Sequence, residues 1–400
     1  MRNILFTWLI CLLSLSVNGN SFTIKGKIDG LMVGDTLSFE RIGLPGFELV
    51  FAFDAVVEQP NTFTYKGSHG EVGFYMMTYK PSSGTVVSSD KRGLLLLIKG
   101  GTTHLIGSTN SIYYCQLKGG LYENEMLQHV LDLENTLGKK RSELLRLMDE
   151  ARGQGDQEKA KEYGDKFNSF HSDNREEIQR LSLLKKEFYK SFPSSEHTLV
   201  DALQDVDSAP FEVSLSKYEK MNSEAQNSFF GQVLKQEIDK IAVLLPGNMA
   251  PDFHLTSLDE KEITLADCAG SYVLIYHWGL CPGSFTIEKQ VVDLYNTYKD
   301  HLIVIGITDK MEDIQDFYES IGPGDKFGDL ELKPTLASML NHPWFDAEKS
   351  GDNSRVDTDY AFAGLPYFIF ISPDGKIIAR DFHAAFNKAK NTMEIEFGKR

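Results

Sequence analysis

Among the side chains able to act as nucleophiles or soft ligands in this 400-residue chain, the four cysteines are the most restrictive: Cys11, Cys115, Cys268 and Cys281. Cys11 falls in an apolar N-terminal run that reads as a leader, so three remain. An odd number leaves at least one thiol free or paired outside the chain and gives no disulfide framework. Cys115, in Tyr113-Tyr-Cys-Gln-Leu117, reads as a buried structural thiol in an apolar strand. Cys268 and Cys281 are separated mostly by one strand, which at ~3.3 Å per residue spans ~20 Å, so they do not pair without rearrangement. Cys281 is the candidate for chemistry. It stands in His277-Trp-Gly-Leu-Cys-Pro-Gly-Ser-Phe-Thr-Ile-Glu288, between an apolar run and an amphipathic one. The dipole of a helix start favours the thiolate, which is the form of cysteine that reacts. His277 and Cys281 lack a second soft ligand, because positions 284 and 285 are Ser and Phe. Neither a metal nor another cofactor is expected.

The elements that must position Cys281 follow from periodicity. Ala250 to Leu255 is extended, Ser257 to Glu260 is a turn, and Tyr272 to His277 is a buried apolar strand. Phe285 to Tyr298 is an amphipathic helix, Leu302 to Ile307 an apolar strand and Asp313 to Ser320 a helix. Tyr367 to Ile371 is a strand, and Asp374-Gly375 turns it into Lys376 to Arg380. Strand, helix and strand with no room for a hairpin imply a parallel pair joined by a crossover. The closing hairpin adds an antiparallel edge, so a mixed sheet flanked by helices is predicted.

Upstream, Phe22, Ile24 and Ile28 alternate with Thr23, Lys25 and Lys27. Thr62 to Tyr65, Phe74 to Tyr79 and Leu94 to Ile98 continue the strand pattern between turns. An antiparallel sandwich or barrel is predicted over residues 20–120. From Leu121 to Phe192 the period becomes helical, with a break at Gly153-Gln-Gly155, which predicts two long antiparallel helices. A hairpin of this length can also pair with a second copy, so a homodimer through the helical region is one option. The boundaries read as a signal peptide over 1–19, a β-rich domain over 20–120, a helical region over 121–245 and a last domain over 246–400.

Arg2 followed by the apolar run Ile4 to Val17 and small residues at Val17 and Gly19 has the form of a secretory leader. The expected location is therefore outside the cytoplasm, in the periplasm. Lipid attachment at Cys11 is disfavoured, since Leu9-Ile10 lacks the small residue such a site prefers. A formal net charge of −16 counts against a nucleic-acid partner, because phosphate binding needs a basic surface, and none is expected.

Pro246-Gly-Asn-Met-Ala-Pro-Asp-Phe253, the segment Leu258 to Leu265, Gly270, Trp278 and Gly364-Leu-Pro-Tyr-Phe-Ile-Phe-Ile-Ser-Pro-Asp-Gly-Lys376 together resemble the exported thiol-disulfide oxidoreductases of the thioredoxin superfamily. The β-rich half resembles the domain of unknown function that precedes such domains in many exported bacterial proteins. The resemblance implies an α/β thioredoxin-like C-terminal domain, preceded by an all-β sandwich-like domain and a helical hairpin region. It also implies a Cys-x-x-Cys motif at a helix start, whose first thiolate attacks a client disulfide and whose second releases the product. This chain keeps one of the two thiols. With a one-residue deletion after Trp278, Cys281 takes the attacking position and Ser284 replaces the resolving cysteine. With no gap, Trp278 and Glu288 match the family, and the cysteine positions fall on Pro282 and Phe285. The first register is preferred because it sets the thiol at the helix start. Pro366 matches the family's cis-proline, which faces the motif and receives a client as a short added strand; a trans proline opening an edge strand is the alternative.

Two functions are consistent with these residues. One is a monothiol-type oxidoreductase of the cell envelope acting on protein or peptide thiols and disulfides, with Cys281, Ser284 and Pro366 in the site. The other is a non-catalytic module that binds protein or peptide near Pro366. A peroxiredoxin would need Pro-x-x-x-Thr-x-x-Cys, and positions 274 and 278 are Leu and Trp. Asn341-His-Pro-Trp-Phe-Asp346 is conspicuous, but no mechanism follows from it alone.

Overall fold

A computed structural model of the chain describes residues 20–43, 49–69, 72–84, 93–257 and 259–398. The leader, with Arg2, Cys11 and its cleavage site, lies outside the described residues, as does Leu258 of the expected turn. By compactness the chain divides into two units. The first comprises residues up to 204 and 217–233, the second residues 205–216 and 234 onward.

In the first unit the alternation of apolar and polar residues produces two four-stranded sheets. One runs Thr62–His69, Asn20–Asp29, Gly101–Ser108, Gln116–Lys118, and the other Leu49–Val56, Thr36–Ile42, Gly73–Lys80, Leu94–Ile98. Pairing is antiparallel throughout except between Asn20–Asp29 and Gly101–Ser108. Phe22, Ile24 and Ile28 point inward and join Leu37, Phe39 and Met77 of the other sheet in one core.

Cys115 is buried, but it ends the 3-10 turn Thr109–Tyr114 and does not lie within a strand; the strand begins at Gln116. The helical part has three long helices where two were expected: Glu125–Gly153, Gln157–Asp173 and Arg175–Ser191. Asn174 interrupts the second apolar run. Its side-chain amide donates to the Phe170 carbonyl at 2.9 Å, one of the local bonds by which asparagine competes with a continuing helix.

In the second unit the sheet order is Phe345–Glu348, Leu302–Thr308, Tyr272–His277, Tyr367–Ile371, Ile377–Asp381. The first three strands are parallel and the last two antiparallel to their neighbours. All six residues of the central strand Tyr272–His277 are buried, because both faces of the sheet are covered. Tyr272, Leu274 and Tyr276 pack on one side with Phe368 and Phe370, and Val273 and Ile275 on the other with Ile369 and Ile371. The helix Pro282–Tyr298 makes the crossover to Leu302–Thr308. Residues 246–250 are pinned to the closing strand by Gly247 N–H to the Ile377 carbonyl at 2.8 Å and Ile377 N–H to the Asn248 carbonyl at 2.9 Å.

Phe368 is fully buried and its ring stacks on Tyr276 with centroids 4.9 Å apart. Replacing it by alanine, Phe368→Ala, is expected to cost the domain about 3–5 kcal/mol through lost burial and the cavity left behind. Denaturant unfolding followed by tryptophan fluorescence reads this domain, since two of the chain's three tryptophans, Trp278 and Trp344, lie in it and the third, Trp8, lies in the leader. A midpoint unchanged from the parent would contradict the packing described.

Candidate functional site

The central strand ends at His277, and Trp278 N–H still donates to the Ile307 carbonyl at 2.9 Å before the chain turns. Cys281 then takes extended backbone angles and caps the helix Pro282–Tyr298, with Pro282 at the first helical position, where its missing N–H costs nothing. The helix thus starts three residues earlier than its apolar period suggests. The Cys281 sulfur accepts from the Ser284 N–H at 3.3 Å, and its thiol donates to Ser284 Oγ at 3.2 Å. Ser284 is buried and its Oγ also accepts from the Gly279 N–H at 3.3 Å. The sulfur is therefore held at the positive end of the helix, against a hydroxyl that can stabilise a thiolate but cannot become a disulfide partner.

Pro366 follows a cis peptide bond from Leu365. A Cβ at Gly283 would stand 2.6 Å from Pro366 Cδ, so glycine alone lets the proline loop approach the first turn of the helix this closely. Cys281, Ser284 and Pro366, which lie up to 85 positions apart, are in this way brought to one place. His277 anchors the loop from below: Nδ1 lies 3.0 Å from the Gly364 carbonyl and the ring stacks on Phe362. Burial, with the positive charge of Lys349, pulls the His277 imidazole down to about 4, so it is neutral.

The other two described thiols are buried. Burial pushes Cys268 up to about 11 and Cys115 up to about 12, so both are protonated and unreactive at neutral pH. Cys281 is the one partly exposed thiol among the described residues.

Beneath the helix start lies a group that sequence reading left without a role. The His342 side chain is fully buried, with Nδ1 2.7 Å from Asp346 Oδ2 and Nε2 3.1 and 3.2 Å from the two Glu288 oxygens. Ser338 Oγ donates to Glu288 at 2.7 Å, and Trp278 Nε1 donates to Asp346 Oδ1 at 3.0 Å. The last bond crosses the neighbouring strand at Gly306, where a Cβ would fall 1.7 Å from Asp346 Oδ1. Burial depresses the His342 imidazole, but the bonds to Asp346 and Glu288 outweigh it and raise it to about 9. The only sequence signal was the pair of acids at 288 and 346 with a histidine four residues before the second. No local pattern joins them across more than fifty positions.

The two histidines give the domain opposite pH limits. His342, raised above its ordinary 6.5, contributes stability that is complete below that value and lost as pH rises through about 9. His277, depressed, contributes stability that is complete above 6.5 and lost as pH falls toward about 4. Each effect is expected to reach about 3 kcal/mol. Tryptophan-detected unfolding across this range should lose its alkaline limb in His342→Gln and its acid limb in His277→Gln; limbs that survive the substitutions would assign them to other groups.

A search of curated proteins finds no match to this chain. Among solved structures it is similar to the thioredoxin domain of a thiol-disulfide oxidoreductase from Bacteroides vulgatus, at 22% identity over 38% of this chain and 97% of that one, with a TM-score of 0.29. It is also similar to a thiol:disulfide interchange protein from Bacteroides sp., at 22% identity over 39% of this chain and 92% of that one, with a TM-score of 0.30. Residues 246–380 match the sequence model of the AhpC/TSA family. The sheet order, the crossover helix and this match agree that the C-terminal part of the chain is a thioredoxin-like domain.

Proposed function

We propose that the C-terminal domain is a monothiol-type thiol-disulfide oxidoreductase that works through Cys281. The observation that carries this reading is the cap: the Cys281 sulfur accepts from the Ser284 N–H at the start of a seventeen-residue helix, beside Pro366. The Cys281 thiolate attacks one sulfur of a client disulfide. That S–S bond breaks, a mixed disulfide forms, and the second client sulfur leaves as a thiolate that takes a proton from water. An external thiol, the reductant, then attacks the Cys281 sulfur of the mixed disulfide and releases the client's other sulfur as a thiol. A second external thiol attacks the resulting bond, leaves with the first as a disulfide and frees Cys281. Ser284 hydrogen-bonds the sulfur in both states. The backbone around Pro366 receives the client as an added strand. The leader-like form of the first residues supports an activity outside the cytoplasm, in the cell envelope, where client disulfides persist.

Serine at position 284 also favours a second reading, a non-catalytic module in which the Pro366 loop binds peptide and Cys281 is a bystander. Alkylation separates the two. Under the first, iodoacetamide modifies Cys281 at neutral pH faster than an ordinary thiol, Cys281→Ser abolishes trapped mixed disulfides, and Ser284→Cys restores an internal pair and raises disulfide reduction with dithiothreitol by at least about tenfold. A Cys281 that alkylates no faster than a free thiol, together with no trapped client, would leave only the binding reading. N-terminal sequencing of the exported chain tests the location, with cleavage after Gly19 expected and an intact Met1 contradicting it.

A further inference from the structure

Cys281, Ser284 and Glu288 follow one another at steps of three and four residues, so they lie on one face of the helix, and both Ser284 and Glu288 are buried. At 1.5 Å per residue, Glu288 sits ~10 Å below the thiol along the helix axis. Each ring nitrogen of His342 meets carboxylate oxygen, Nδ1 at Asp346 and Nε2 at Glu288. A neutral imidazole has a single N–H and would turn a lone pair toward one carboxylate. Only the imidazolium satisfies both.

The other titratable group facing this cluster is Tyr276, on the central strand. Its hydroxyl is fully buried, and burial followed by the charges of Glu288 and Cys281 outweighs an interaction with Ser284 and holds it well above its ordinary value. Trp344 stacks on His342 at 4.2 Å and Trp278 meets it edge-on at 4.7 Å; Tyr295 packs behind Trp344. The ion pairs that Glu288 and Asp346 make are with His342. Counted as two carboxylates and one imidazolium, the three groups carry a single negative charge in a largely buried cluster under the helix start.

We propose that His342 is a positioning residue for Cys281: as an imidazolium between Glu288 and Asp346, it fixes the charge buried beneath the helix start and thereby the thiolate population of Cys281. The proposal rests on the reading of Cys281 as the reacting thiol. With the cation in place, the field opposing the thiolate is that of one net charge. Without it the field is that of two carboxylates, screened less than at the surface because Glu288 and most of Asp346 are buried.

The test is the pH profile of iodoacetamide alkylation at Cys281 in the full chain, read by mass spectrometry of the Cys281 peptide from about pH 5 to about pH 10. Glu288→Gln removes one negative charge and should move the midpoint down by about half to one pH unit. His342→Gln removes the cation and should move it up by a similar amount. A purely structural role would move both variants the same way or neither. Midpoints within about 0.2 of the parent in folded variants, or a reversed direction in either, would overturn the proposal. Should His342→Gln fail to fold, Glu288→Gln decides alone, a lower midpoint supporting and an unchanged or higher one refuting. A parent Cys281 that is unreactive throughout would instead remove the thiol reading itself, which is a distinct outcome.

Discussion

An imidazole ring closed between two carboxylates, out of reach of water, is the interaction on which the rest of the C-terminal site depends. Burying charges is costly, and a buried pair repays that cost only when its geometry is good and the remaining lone pairs are satisfied. Here both conditions hold. Both ring nitrogens of His342 have acceptors, Glu288 takes a further bond from Ser338, and Asp346 takes one from Trp278. The cluster joins the crossover helix, the segment before the outer strand and the turn that leaves the central strand. Removing His342 leaves two facing carboxylates without a cation in the core, so these elements are bound to one another electrostatically as well as by packing.

Two glycines make this arrangement sterically feasible. Gly306 lets the Trp278–Asp346 bond pass over the neighbouring strand, and Gly283 lets the Pro366 loop close on the first helical turn. Both are places where a side chain would occupy the space of another group, so their role is approach distance. The thiol's surroundings are consequently fixed from two sides. The proline loop, tethered through His277 to the Gly364 carbonyl, defines the outer side. The ionic cluster defines the inner one.

How far the sequence exposes this depends on the range over which each feature is encoded. Tyr272 to His277 is legible because a strand buried on both faces is an unbroken apolar run. The start of the next helix is read late, at Phe285, because Cys281-Pro282-Gly283 carries no apolar period even though its capping chemistry is local. Asn174 is missed for the converse reason, since the apolar period continues across the break and only a side-chain bond to Phe170 marks it. Cys115 follows a similar logic: an apolar neighbourhood signals burial but does not distinguish a strand from the end of a 3-10 turn. The cysteine, serine and proline of the site are visible because each lies in a recognisable local stretch. His342 and Asp346 are not, because their meaning comes from Glu288, 54 positions away from the histidine.

Serine at position 284 changes what the inner cluster has to do. In a two-cysteine motif the second thiol must itself be deprotonated to attack the mixed disulfide and release the product. Ser284 takes no such step, because its hydroxyl stays protonated and only bonds the sulfur. Yet Glu288 remains buried on the same helical face, bonded to His342, which Asp346 holds from its other nitrogen. Beyond holding these elements together, that combination places a charge where it can act on the one thiol left. Under the proposed monothiol reading that charge bears on Cys281, while the lifetime of any mixed disulfide passes to the external thiol that resolves it.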